Sequence, residues 1–117
     1  MTPIADVAMR TMEASLGALQ QRIDVRSNNV ANSSTPGFQA QQVEFESLLS
    51  DALQRGDDPV DIEPAVAAAP NLPNGNGNTV DLASDMVGMV KDNLAYDTVV
   101  NVFNYKAGIL GTALRGQ

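Results

Sequence analysis

The chain has 117 residues, enough for one domain, and 44% of them are hydrophobic, yet its only aromatics are three Phe and two Tyr. It contains no Cys and no His, which removes disulfides, thiolate chemistry, the commonest metal ligand and the commonest general base. The net charge of −7 is uneven: residues 1–27 balance, residues 28–63 carry seven acids against Arg55 alone, and residues 64–117 sum to −1. Nucleic acid and anionic membrane both need a basic surface, so neither is an expected partner.

Residues 3–31 read as a long amphipathic helix. Thr2 is a suitable cap and Pro3 suits the first turn. Alternating steps of four and three give the seam Ala5, Met9, Met12, Leu16, Leu19, Ile23, Arg26 and Val30. All but Arg26 are apolar, a pattern that fits packing on a second helix. Arg26 reads either as a snorkelling residue at the seam's edge or as half of an ion pair with a partner subunit.

The helix ends in Asn28-Asn29-Val30-Ala31-Asn32-Ser33-Ser34-Thr35-Pro36-Gly37-Phe38. Short polar side chains there compete for backbone hydrogen bonds, Pro36 cannot continue a helix, and Gly37 permits a left-handed angle. Thr35-Pro36-Gly37-Phe38 has the spacing of a tight turn, with Phe38 anchoring it against a helix.

Residues 39–55 read as a short helix with Val43 or Phe45, Leu48, Leu49, Ala52 and Leu53 on one face and Gly56 as its stop. Residues 57–79 hold four prolines and an Asn-Gly-Asn-Gly-Asn run, which predicts a mobile loop. The acids Asp57, Asp58, Asp61 and Glu63 do not match the calcium-loop spacing.

Residues 79–114 predict a second long helix, capped by Asn78 with Asp81 in its first turn. Its seam reads Leu82, Met86, Met89, Asn93, Tyr96, Val100, Phe103, Ala107, Leu110 and Leu114, beside a second stripe of Val87, Val90, Leu94, Val102, Tyr105 and Ile109. Such a face is wider than one partner helix covers.

The expected fold is therefore all-α: two long terminal helices packed as a coiled-coil-like pair, a short middle helix and a long irregular loop. A chain this small with so wide an apolar face is expected to fold fully only with neighbours. Catalysis is not expected. Glu44 and Glu46, two apart, do not share a helix face, and no nucleophile–base pair or phosphate loop is present. No cofactor or metal is expected either. No membrane-spanning run exists, and Met-Thr-Pro-Ile-Ala-Asp lacks the basic start of a secretory signal.

The stretch Asn28, Asn29, Ala31, Asn32, Thr35, Pro36, Gly37 and Phe38, at the end of a first helix of about thirty residues, resembles the N-terminal signature of the bacterial flagellar rod and hook proteins. The absence of a large insertion, together with Val43-Glu44-Phe45-Glu46 and Asn93-Leu94-Ala95-Tyr96, is similar to that family's small proximal rod subunits. The resemblance implies a structural subunit of the proximal rod in the basal body, which transmits torque across the periplasm. It implies export through the flagellar type III apparatus without a cleaved signal. It also implies contacts with copies of itself, other rod proteins and a membrane-ring adaptor. Met12, Leu16, Leu19, Ile23, Met86, Met89, Tyr96, Val100, Phe103, Leu110 and Leu114 would then form the assembly seam. Phe45 and Leu49 fit a permissive export-gate pattern or plain packing. The competing reading is a small dimeric coiled-coil adaptor or export chaperone.

Overall fold

The structure, a computed structural model, describes the backbone of residues 3–115 and the side chains of residues 6–115. The Thr2 cap and the side chain of the seam residue Ala5 lie outside that range. Three helices dominate: α1 (Pro3–Ala31), α2 (Glu46–Arg55) and α3 (Leu82–Arg115). Between them lie two short strands, β1 (Gln41–Glu44) and β2 (Ala65–Ala68), and a 3-10 turn at Pro59–Asp61. Helices α1 and α3 run antiparallel, since Arg22 pairs with Asp92 while the later Arg26 also reaches the earlier Asp85.

The fold is mostly helical, as expected, and the middle of the chain adds a small two-stranded sheet to it. Residues 41–44 are a strand, paired antiparallel with β2 in the register Gln41 to Ala68 and Val43 to Val66. Val43 and Phe45 are buried while Gln42, Glu44 and Glu46 are exposed, an alternation of period two. Only from Glu46 does the helical period take over, and Phe45 N-caps α2 without a side-chain bond. Helix α2 stops at Gly56 in the left-handed region (φ 78°), with the Gly56 and Asp57 amides closing on the last turn.

The stretch 57–79 contains a 3-10 turn and strand β2, and the rest of it is irregular. Asp58 caps the 3-10 turn by accepting from the Val60 amide at 3.1 Å. It also takes a forked ion pair from Arg10, with Nε at 2.8 Å and Nη2 at 2.5 Å. After that turn, Ala65–Ala68 forms β2, and Ala69 extends the pairing by donating to the Ala40 carbonyl at 2.9 Å. Helix α3 begins at Leu82 rather than residue 79, because Asp81 accepts from the Ser84 amide at 3.0 Å and so caps it.

The core is small. Ala18 and Leu19 of α1 meet Phe45, with Ala95, Tyr96 and Val99 of α3 packed around them. The molecule is 65 × 27 × 14 Å with a radius of gyration of 17.8 Å, against about 13 Å for a compact domain of this length. Its accessible surface is 7280 Å², whereas a compact monomer of this mass exposes about 6100 Å². The surplus comes with large apolar side chains of α3 in solvent, among them Val90 at 69%, Leu94 at 67% and Tyr105 at 71% exposure.

Candidate functional site

The most ordered polar region lies where α1 ends and α3 begins. Arg22 and Arg26, four residues apart on α1, project onto Asp85 and Asp92, seven apart on one face of α3. Asp92 takes both arginines: Arg22 Nη2 at 2.9 Å and Arg26 Nε at 2.9 Å. Arg22 also forks onto Glu46 through Nη1 at 2.8 and 3.0 Å, and its guanidinium stands 4.9 Å from the Phe45 ring centre. Arg26 Nη1 reaches Asp85 at 3.2 Å. Asp85 in turn accepts from Asn29 Nδ2 at 3.2 Å.

Asn29 continues the chain of contacts. Its Nδ2 donates to the Gln41 carbonyl at 2.8 Å, and its Oδ1 accepts from the Gln41 amide at 3.1 Å. One side chain therefore satisfies both backbone groups of the first residue of β1 on the edge opposite β2. Asn29, Asp85 and Asp92 are all buried, and no described buried side-chain polar atom lacks a partner. A complete network tolerates burial that a partial one does not.

Gly88 makes the crossing possible. A Cβ built there would overlap the Arg26 guanidinium. The missing side chain leaves a trough in α3 through which Arg26 reaches Asp85 and Asp92 together.

The electrostatics follow from this geometry. Burial alone pushes the Glu46 carboxyl up, but the Arg22 hydrogen bonds and charge hold it below its ordinary 4.5. Burial likewise lowers Arg22, and Asp92 and Glu46 more than offset that, raising it above its ordinary value. Asp58 lies below 3.8, chiefly through Arg10.

The second half of the region is a clasp on the signature stretch. Thr35-Pro36-Gly37-Phe38 forms the expected turn, with the Phe38 amide on the Thr35 carbonyl at 3.2 Å and Gly37 at φ 73°. The Asn-Gly-Asn-Gly-Asn run, mobile by its composition, docks onto it. Buried Asn78 donates through Nδ2 to the Asn32 carbonyl at 2.9 Å and the Thr35 carbonyl at 2.7 Å. Its Oδ1 accepts from the Val80 amide at 2.8 Å, so it serves the turn rather than capping α3. The Gly37 amide donates to Asn76 O at 2.9 Å, and Thr79 bridges Phe38 and Ala40 through its amide and its Oγ1. Gly77, at φ 80°, would bring a Cβ to 3.5 Å from the Gly37 Cα.

The other expected site residues separate into groups. Asn32 bonds Asn28 on its own helix end through Nδ2 at 2.9 Å, and Asn28, Ala31, Thr35 and Pro36 are exposed. Phe38 is half-buried, and its backbone makes the hydrogen bonds that fix the turn. Met12, Leu16 and Ile23 are half-buried and Leu19 is buried. On α3, Met89, Tyr96, Val100, Phe103 and Leu110 are half-buried, but Met86 and Leu114 are 54% and 82% exposed. The inward face of α3 at this end is instead Asp85, Gly88 and Asp92. Arg26 pairs within its own chain, with Asp85 and Asp92. Asn93, placed in the seam by its spacing, is exposed and bonds back to the Met89 carbonyl. Phe45 belongs to the core, and Leu49 lines a small hollow beside it. Arg22, Gly88, Asp85 and Asp92 do not stand out from the apolar pattern of the sequence. Their signal is the match between an i, i+4 pair of arginines and an i, i+7 pair of aspartates flanking a glycine.

Among the described residues no group of three or more acids could hold a metal, and no helix is long and apolar enough to cross a membrane. The fold and this region define an elongated helical subunit with a fixed polar junction and an uncovered apolar flank, the form of an assembly protein. Residues 6–39 match the family described as Flagella basal body rod protein. The chain is 31% identical to the flagellar basal body rod protein FlgB of Escherichia coli K12 over 78% of this chain and 80% of that one. It is 30% identical to FlgB of Aeromonas hydrophila over 96% of both, and 28% identical to FlgB of Yersinia enterocolitica over 83% and 85%. The chain belongs to the FlgB family of flagellar basal body rod proteins, as a structural component and not an enzyme.

Proposed function

We propose that the chain polymerises into the proximal rod through its terminal helices, and that the resulting shaft transmits torque and encloses an export channel. The observation that carries this reading is the uncovered apolar flank of α3, with Val87, Val90, Leu94, Tyr105 and Ile109 each more than half exposed. The surplus of accessible surface over a compact monomer, about 1200 Å², exceeds the roughly 800 Å² that each partner buries in a standard interface. Copies of the chain and other rod proteins are the partners of that flank. The export apparatus handles the extended chain, and Phe45 and Leu49 act as a gate signal only before folding hides Phe45. A membrane-ring adaptor contacts the base of the rod.

The half-buried residues Val100 and Leu110 serve folding as well as assembly, so outward positions give the cleaner test. Leu94→Asp and Tyr105→Asp are introduced into cells lacking the native copy. Expected are normal protein levels, no swimming, and basal bodies without a rod by electron microscopy. Full motility in both variants would overturn the proposal. A tight, fully helical dimer by sedimentation, with no larger assemblies at high concentration, would instead favour the adaptor reading.

A further inference from the structure

Val87, Val90 and Leu94 form an apolar stripe on the first half of α3, and it faces away from α1. The buried positions on this half of the helix are Asp85, Gly88 and Asp92, while those three apolar residues are 55%, 69% and 67% exposed. The two faces lie about half a helical turn apart around α3. The polar face is joined to α1 by the ion pairs of Arg26 and Arg22, with Arg26 lying in the Gly88 trough.

We infer that the Arg22–Arg26–Asp85–Asp92 cluster is a rotational lock, which keeps the apolar flank of α3 turned away from α1 and available to a neighbouring subunit. Buried ion pairs are weak stabilisers compared with apolar side chains of similar volume, yet one polar contact can fix orientation and register. A surface that must bury itself only on assembly is exposed to the competing solution in which it folds back on its own chain. The lock excludes that solution, because rotating α3 would leave two half-buried arginines without carboxylates and carry the buried Asp85 and Asp92 away from their partners. Glu46 and Asn29 brace the two ends of the cluster. The role of the freed flank rests on the assembly reading above, but the lock is a property of the isolated chain.

The chain has no cysteine, so single introduced thiols report the rotation directly. Val90→Cys lies on the outward face and Val99→Cys, nine residues on, faces the core. Maleimide reaction rates are measured on the full chain in two backgrounds. One is native. The other carries Arg22→Ala, Arg26→Ala, Asp85→Ala and Asp92→Ala, which removes the ion pairs without building a large apolar face in their place. In the native background Val90→Cys should react at least ~10-fold faster than Val99→Cys, as opening-limited protection requires. In the alanine background helix content should persist and the order of the two rates should narrow or invert. An unchanged rate ratio in a helical alanine variant would overturn the lock. So would loss of its helix content, since the inference requires the apolar packing to be an accessible alternative. A charge-exchanged background, with Arg22→Asp, Arg26→Asp, Glu46→Lys, Asp85→Arg and Asp92→Arg, keeps the attraction and should retain the native order; inversion there would also overturn it. None of these results depends on rod assembly, so failure of the lock and failure of the assembly reading are separable.

Discussion

The side-chain amide of Asn29 meets the backbone of Gln41 in both directions, at 2.8 Å from Nδ2 to the carbonyl and 3.1 Å from the amide to Oδ1. It thereby stands in for a neighbouring strand and joins the end of α1 to β1. Asn29→Ala would strand both backbone groups and remove one donor from buried Asp85. Loss of partners at buried groups costs about 1–3 kcal/mol, and this should appear as a lower urea midpoint. Asn29→Asp would place a second carboxylate beside Asp85 and should cost more.

Two helical glycines make opposite predictions. Gly88→Ala would drive a methyl into the Arg26 guanidinium and should lower stability by at least about 1 kcal/mol, because the displaced arginine loses buried carboxylates. A methyl added at Gly17 on α1 would meet nothing within 4 Å. Gly17→Ala should therefore raise stability by about 0.5–1 kcal/mol through backbone entropy. Thermal melts followed by circular dichroism at 222 nm check both signs.

The clasp predicts a local effect. Asn78→Ala removes the donors to Asn32 O and Thr35 O and should loosen residues 74–79 without unfolding the helix pair. Hydrogen exchange should rise by about tenfold or more at the Gly37 and Thr79 amides, which donate to Asn76 and Phe38. Exchange in the centre of α1 should stay unchanged.

Acid should weaken the fold in a defined direction. Asp58 and Glu46 have folded values below their ordinary 3.8 and 4.5. Each therefore contributes stability that is fully present above those ordinary values and is lost as pH falls through the lower folded ones. Melting temperature should hold steady down to about pH 5 and fall below about pH 4. Arg10→Ala should reduce the part due to Asp58. Added salt should do the same, since that pair is exposed and screened.

Much of the fold is legible in the sequence, and the parts that are not have physical causes. The turn at Pro36-Gly37 and the stop at Gly56 are legible because each depends on one residue's backbone freedom. Strand β1 is hidden because four residues give too little alternation to compete with the helical period of Leu48, Leu49 and Ala52. The Asn74–Asn78 loop reads as mobile because it buries almost no apolar area. It is held by hydrogen bonds to backbone groups some forty residues away in sequence, and composition does not encode those. Near the start of α3 the residues that face α1 are not the apolar ones reached by steps of four and three, because stepping along apolar positions ignores charge. The inward face there is set by arginines 59 to 70 residues earlier.

In the proposed rod, the apolar flank of α3 is covered by a neighbouring subunit while the Arg–Asp cluster stays closed within each chain. A cryo-electron microscopy reconstruction of the assembled rod tests it most directly. The expected result is Val87, Val90 and Leu94 buried against another subunit, with Asp92 still held by Arg22 and Arg26. A rod in which that flank faces solvent, or in which the cluster has opened to pair between subunits, would contradict it.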